Sequence, residues 1–248
     1  MATLLYALGF TLGFNLLLYG FAYALQTDKL TDISYATTFA LLAIGAFGLS
    51  AGHGPDWILL VWVLLWALRL GGYLFYRIQY MGRDTRFDEI RNKPWKFLGF
   101  WVMQGLTCGI VSLAFLLVML TDTPQFRPLF WIGSAIALIG LAIESMADMQ
   151  KFRFKRLHPD AFMQSGLWRR IRHPNYLGEL LFWWGIFVAS MSYVAVWPAI
   201  LSPLWISMIL LFFSGIPILE QKWEEKYGAD PDFVTYRQQS WRLIPYLY

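Results

Sequence analysis

The sequence predicts an all-α integral membrane protein: a seven-helix bundle with a cap of polar chain on its cytoplasmic side. Three observations predict it. Of 248 residues, 58% are hydrophobic and only 15% are charged, against about 25% charged in a soluble domain. Aromatic residues make up 19%, more apolar surface than a soluble core absorbs but well suited to lipid. The basic residues also fall on alternate connections, as the positive-inside rule requires.

In chain order the apolar segments are Leu4–Leu25, Ile33–Leu49, Trp57–Tyr76, Phe97–Leu120, Leu129–Met146, Leu177–Ser192 and Ala199–Leu219, each near the length needed to cross hydrocarbon. The second and sixth are short and polar-flanked. Six spans result if the second only dips into the membrane. The first has no basic lead-in and no small-residue cleavage site, so it is not expected to be a removable signal peptide. Between the spans, the second, fourth and sixth connections hold one basic residue, Arg127. The third holds Arg77, Arg83, Arg86, Arg91, Lys93 and Lys96, and the fifth holds Lys151, Arg153, Lys155, Arg156, Arg169, Arg170 and Arg172. With Lys29 and a basic tail on the same side, seven spans place the N-terminus outside and the C-terminus in the cytoplasm. A bacterial-type inner membrane is the expected location.

The chain is expected to be one membrane domain over 1–248, with helices one to four in 1–120 and helices five to seven, a loop and a tail in 121–248. The stretches Asp148–Pro174 and Glu220–Tyr248 are too long for plain loops in a compact bundle. They are rich in Trp, Phe, Tyr and Leu, which predicts an ordered cap rather than disorder. Cys108 lies mid-span and reads as a small core residue. No P-loop, HExxH, CxxC or strand-borne GxGxxG occurs, and His53, His158 and His173 are far apart. A zinc site, a soluble dinucleotide fold and a nucleic-acid partner are not expected.

The most informative block runs from Gly166 to Glu179. Pro174 suits the first turn of a helix, which places Asn175 and Glu179 on one face with Trp183 a turn beyond. A carboxylate inside an apolar helix is costly without a partner, so Glu179 is a functional candidate. The structural alternative is an ion pair with Arg172 or Lys155. Glu144 and Asp148 are likewise one turn apart, with Lys151, Phe152 and Lys155 continuing their face. Carboxylates, amides and cations in this mixture suit a polar cofactor bearing phosphates and a ribose. In the tail, Glu220, Glu224, Tyr236, Arg237 and Arg242 are spaced among aromatics, and Gly228 is expected to cap the preceding helix. Arg237 and Arg242 either close over a phosphate or lie on headgroups. Near the start, Asp32 opens the second segment, and on residue pattern alone its N-terminal cap is the favoured reading. Trp66, Arg69, Tyr73 and Tyr76 form a stripe at packing spacing. Within it Arg69 needs a partner, with Asp32 or Glu179 as choices.

These motifs carry a resemblance. Gly166-Leu-Trp, Arg172-His-Pro-Asn-Tyr176 and Gly178-Glu179, with Glu144 and Asp148 before and Tyr227-Gly228, Tyr236 and Leu243-Ile-Pro245 after, resemble the C-terminal half of the steroid 5α-reductase superfamily. The closest likeness is to its bacterial DUF1295-type branch. Asp32-Ile-Ser-Tyr35, Trp66-Ala-Leu-Arg69-Leu-Gly71 and Arg83-Asp-Thr-Arg-Phe87 match the N-terminal half more loosely. The resemblance implies NADPH as cofactor and reduction of a carbon–carbon double bond conjugated to a carbonyl, in a steroid-like or other lipid. It implies cofactor contacts from Glu144, Asp148, Lys155, Trp168, Arg172, His173, Asn175, Tyr176, Glu179, Glu224, Tyr236, Arg237 and Arg242. Asp32, Tyr35 and Tyr73 would serve the chemistry, and Trp66, Arg69 and Trp183 the substrate. The superfamily's helix-two Glu and helix-three Tyr are replaced near Asp32 and Trp66, so a steroid is not implied specifically. Arg-His-Pro-x-Tyr followed by a Glu and a Tyr-Gly also resembles the isoprenylcysteine and phospholipid methyltransferases, which use S-adenosylmethionine. A non-catalytic lipid-binding or transport protein is the third reading, and it would spread polar residues toward both faces.

Overall fold

In a computed structural model, residues 2–81, 87–122 and 125–245 are described. Arg83 and Arg86 therefore lie outside the described residues. The chain is helical, with helices α1 (Ala2–Ala24), α2 (Lys29–Leu49), α3 (Gly54–Met81), α4 (Pro94–Val111), α5 (Leu113–Met119), α6 (Pro128–Leu157), α7 (Pro174–Ser190), α8 (Val196–Met208), α9 (Ile216–Tyr227) and α10 (Pro231–Gln239). A helix or helix pair coincides with each apolar segment. Among the described residues, five runs are long and apolar enough to cross a membrane: α1, α2, most of α3, α6, and α8 continuing through α9. The pair α4–α5, bent by 47°, adds a sixth if it counts as one span. At 17 residues, α7 is shorter than these. Such helices make the chain a membrane protein.

Two compact units divide the chain. The first comprises residues 1–131 and 186–202. Here α1 packs on α4, and α2 on α3. The first contact needs two glycines one turn apart on α4. A methyl group on Gly109 would lie 2.5 Å from Leu8 Cδ2, and one on Gly105 3.2 Å from the Leu12 Cα. Small residues at this spacing let membrane helices approach closely. A buried polar cluster pins the three helices together. Gln104 donates from Nε2 to Asn15 Oδ1 (2.9 Å) and Ser34 Oγ (2.7 Å), while Asn15 donates to Thr38 Oγ1 (3.2 Å). At the α4–α5 break, the Val111 carbonyl accepts from Ser202 Oγ at 2.5 Å.

The second unit comprises residues 132–185 and 203–248. Helices α6 and α7 touch backbone to backbone at Gly140 and Gly178. A methyl group on either would lie 2.5 Å from a main-chain nitrogen, that of Phe182 or of Glu144. Instead of beginning a loop at residue 148, the chain stays helical to Leu157, because the polar residues after Met149 lower hydropathy without disfavouring helix. Between α8 and α9 a π-turn, Ile209–Phe213, relaxes the helix, and the Ser214 N–H reaches back to the Ile209 carbonyl. Beyond it, Trp168, Met163 and Ala147 form one small core, and Tyr227, Phe233 and Tyr236 a second, with Trp223 packed against both.

Candidate functional site

In the first unit the α2–α3 seam gathers the early candidates. Asp32 lies in the first turn of α2 but is not its cap, since Asp28 holds that position. The Asp32 carboxylate stands 3.5 Å from Arg77 Nη2, and both side chains are more than a quarter exposed or nearly so. The Arg77 guanidinium in turn lies 5.9 Å over the Tyr73 ring. Tyr35 meets Trp66 edge-on at 6.1 Å and Phe39 at 5.1 Å. Trp66 is fully buried, a packing residue, and Arg69 sits half-buried on the same helix.

In the second unit the carboxylates lie where α6 meets α7. Glu144 is 2% exposed, Asp148 7% and Glu179 8%. The Glu144 backbone packs directly on Gly178, the neighbour of Glu179. Pro174 opens α7 as its fixed φ favours, so Asn175 and Tyr176 are half-buried in the first turn. Trp183 is fully buried against Phe182, their rings 5.1 Å apart. Among the described residues, no three His, Cys, Asp or Glu side chains are grouped to hold a metal ion.

The chain entering α7 is clamped by the tail. The Arg172 N–H donates to the Trp241 carbonyl, the His173 N–H to the Arg242 carbonyl, and the Trp241 N–H to the Arg170 carbonyl, a short parallel ladder around Ile171 and Trp241. Side chains reinforce it. Arg172 donates from Nε to Glu220 Oε1 at 3.0 Å, and from Nη1 to the carbonyls of Arg237 (3.1 Å) and Ser240 (2.7 Å). His173 Nε2 lies 2.8 Å from the same Glu220 oxygen, and Arg242 Nε is 3.8 Å from the other. The His173 ring is stacked between Tyr176 (5.8 Å) and Trp223 (5.1 Å). Burial holds the His173 pKa below its ordinary value, against the pull of Glu220. The imidazole is therefore neutral at pH 7 and donates from Nε2, since an ionised carboxylate can only accept. Its Nδ1 is buried and has no hydrogen-bond partner among the described residues.

Other cations assigned from sequence to phosphates are engaged within the protein. Lys155 Nζ donates to the carbonyls of Pro159 (3.1 Å) and Ala161 (2.7 Å) and to Tyr227 Oη (3.1 Å), closing the end of α6. Arg237 is paired with Glu224. The alternative partners proposed for Glu179, Arg172 and Lys155, are thus occupied elsewhere. Trp168 is a fully buried core residue whose Nε1 donates to the Ala147 carbonyl at 3.0 Å. Tyr236 donates from its hydroxyl to the Trp168 carbonyl at 2.5 Å, and burial pushes its pKa up. Gly228 caps α9 as expected, donating to the Glu224 carbonyl at 2.8 Å.

Glu220, which the sequence places among the tail's charged residues without a role of its own, is the hub of this clamp. Its signal was its place, a single acid at the end of a long apolar run. Lys151, which the sequence places on the face that continues from Glu144 and Asp148, is turned to aromatic rings. Its ammonium lies 4.5 Å from the Trp168 ring centre and 5.2 Å from that of Trp223, a cation–π position.

A family model described as a protein of unknown function, DUF1295, matches residues 18–240. The chain belongs to the DUF1295 family. The match takes in α2 to α10 and the end of α1, so it covers parts of both units and stops just before the tail residues of the ladder, Trp241 and Arg242. No curated protein and no solved structure matches this DUF1295 chain.

Proposed function

We propose that this DUF1295 protein is an NADPH-dependent reductase of a carbon–carbon double bond in a membrane lipid, related to the steroid 5α-reductases. The observation that carries this reading is the acidic and amide surface of α6 and α7. Glu144, Asp148 and Glu179 are buried within two helices in backbone contact, beside Asn175. Carboxylates with an amide suit the hydroxyls and carboxamide of a nicotinamide nucleotide. These residues fit that part of NADPH. For the phosphates, Arg172 and Lys155 serve the fold instead. Arg242 keeps its proposed role, whereas Arg237 is engaged with Glu224.

When bound, NADPH supplies a hydride. The β-carbon of an enone would accept it, negative charge would develop on the carbonyl oxygen, and the α-carbon would take a proton from water or from the acid that serves that oxygen. A donor aimed at that oxygen in a low-dielectric site contributes about 3 kcal/mol. Tyr35, Tyr73 and Asp32 are the proposed donors, and Trp66, Arg69 and Trp183 the proposed substrate residues. The clamped tail keeps the first turn of α7 in place, which orients Asn175 and Glu179.

The seven-span topology belongs to this proposal, with α7 as the sixth crossing, the N-terminus outside and the acidic surface facing the cytoplasm of a bacterial-type inner membrane. Its support is the alternation of basic connections.

Titration of the detergent-purified chain with NADPH and, separately, with S-adenosylmethionine tests the reading by thermal shift. A ligand at a hundred times its Kd stabilises by about 2.7 kcal/mol. Stabilisation by NADPH that is lost in Glu179→Ala is expected. Stabilisation by S-adenosylmethionine alone would overturn the reductase in favour of a methyltransferase.

A further inference from the structure

A cleft in the second unit has not yet been given a role. It measures about 520 Å³, with Arg169 and Arg170 lining it from the turn before α7, and Asp232, Thr235, Tyr236 and Gln239 from α10. We propose that this cleft binds a phosphate group carried on a hydroxyl-bearing ligand.

Charge is the first reason. The neighbouring cations are spent: Arg172 on Glu220 and two carbonyls, Arg237 on Glu224, and Lys226 on Asp160 at 3.1 Å. The guanidiniums of Arg169 and Arg170 are exposed and have no ion pair or hydrogen bond among the described residues. Against them the cleft sets a single carboxylate, Asp232. Two guanidiniums side by side are the donor set that grips phosphate oxygens in forked geometry. Asp232, Thr235 and Gln239 supply the acceptors and donors that hydroxyls need.

Rigidity is the second. The turn bearing the two arginines is fixed at several points. Gly166 has φ +60°, a conformation that a side chain strains, and a methyl group there would displace the Gln150 amide that the turn uses, its Oε1 lying 2.5 Å away. That same oxygen accepts from the Leu167 N–H at 3.0 Å. Trp168 is bonded to Ala147 on one side and Tyr236 on the other, and the Arg170 carbonyl is held by Trp241. Tyr236 and Trp241 thereby tie α10 and the tail to the turn, so both walls are set before a ligand arrives. Preorganisation of this kind removes part of the entropic cost of binding. The volume is that of a small-molecule site.

The ligand chemistry has two sources: a ribose phosphate of a nucleotide, or the phosphoglycerol headgroup of an anionic lipid. The first source rests on the reductase reading and the second does not. Calorimetric titration of the full chain in detergent with adenosine 2′,5′-bisphosphate and with dihexanoyl phosphatidylglycerol separates them. The double variant Arg169→Gln, Arg170→Gln is expected to lose about tenfold or more in affinity for one probe. Arg169→Lys, Arg170→Lys retains the charge and loses less, and thermal melts of both variants report whether the fold is kept. Loss for the bisphosphate assigns a nucleotide phosphate, and loss for the lipid assigns a headgroup. Equal binding by wild type and the Gln variant, or binding of neither probe by wild type, overturns the cleft. NADH, which has no 2′-phosphate, separates the two proposals. If NADH binds wild type and the Gln variant alike while both probes do the same, the cleft fails and the reductase stands. Lipid binding lost in the variant with no nicotinamide nucleotide bound at all leaves the cleft and removes the reductase.

Discussion

His173 and Arg172, adjacent in sequence, converge on one oxygen of Glu220, at 2.8 Å and 3.0 Å. One acid at the end of an apolar run thus orders the entry to α7. Its removal strands a buried guanidinium, and breaking such a pair from one side costs about 3 kcal/mol. Glu220→Ala should lower the melting temperature of the detergent-purified chain sharply, while Glu220→Gln, which keeps an acceptor, should lower it less. An unchanged melt in Glu220→Ala would remove the hub.

Acid should act through His173. Burial lowers its pKa from 6.5, so below that pH the unfolded chain binds a proton that the folded chain refuses. The contribution of His173 is complete above pH 6.5 and is lost as the pH falls toward the folded value. Melting temperatures from pH 8 to pH 5 should therefore decline more steeply in wild type than in His173→Phe.

Tyr236 gives the opposite arm. Its raised pKa means that its stabilisation is full below its ordinary pKa of 10 and fades as the pH climbs toward the folded value. Tyr236→Phe leaves the Trp168 carbonyl without its donor. It should cost about 1–2 kcal/mol at neutral pH and remove this alkaline component from the unfolding profile.

Gly178 carries the α6–α7 contact. Gly178→Ala would drive a methyl group into the Glu144 backbone and should cost about 3 kcal/mol, at the upper end for overpacking. The thermal shift given by NADPH should vanish at the same time. Gly72→Ala is the control, since its added methyl meets nothing within 4 Å.

Asp32→Asn should barely change the melt, because a partly exposed ion pair contributes about 1 kcal/mol or less. Reductase turnover should fall by a factor of about 100, the effect of losing one aimed donor. Full turnover in the variant would take Asp32 out of the chemistry.

The apolar segments were legible because lipid imposes a length and an apolar composition that any hydropathy reading detects. Positions that depend on backbone partners were not. Ser112 is an ordinary helix residue by sequence, and nothing in its identity announces the bend between α4 and α5. Residues 149–157 read as loop because hydropathy falls there, though their helix-forming side chains continue α6. Lys155 and Arg172 were assigned to the cofactor through the family resemblance, whereas their acceptors include main-chain carbonyls of Pro159, Ala161, Arg237 and Ser240, which leave no mark in residue type. Asp32 is paired with Arg77, which had been counted only among the residues that set topology. The seam of α2 and α3 was more readable, since Asp32 with Tyr35 and Tyr73 with Arg77 lie at helical spacing.

The ladder between residues 170–173 and 241–242 is written in main-chain atoms, so its information content lies in spacing rather than in spelling. Its main-chain bonds do not depend on residue type, whereas one residue inserted between Gln239 and Trp241 would slip the register and carry each side chain to the opposite face. Divergence in this stretch should therefore be rich in substitutions and poor in gaps.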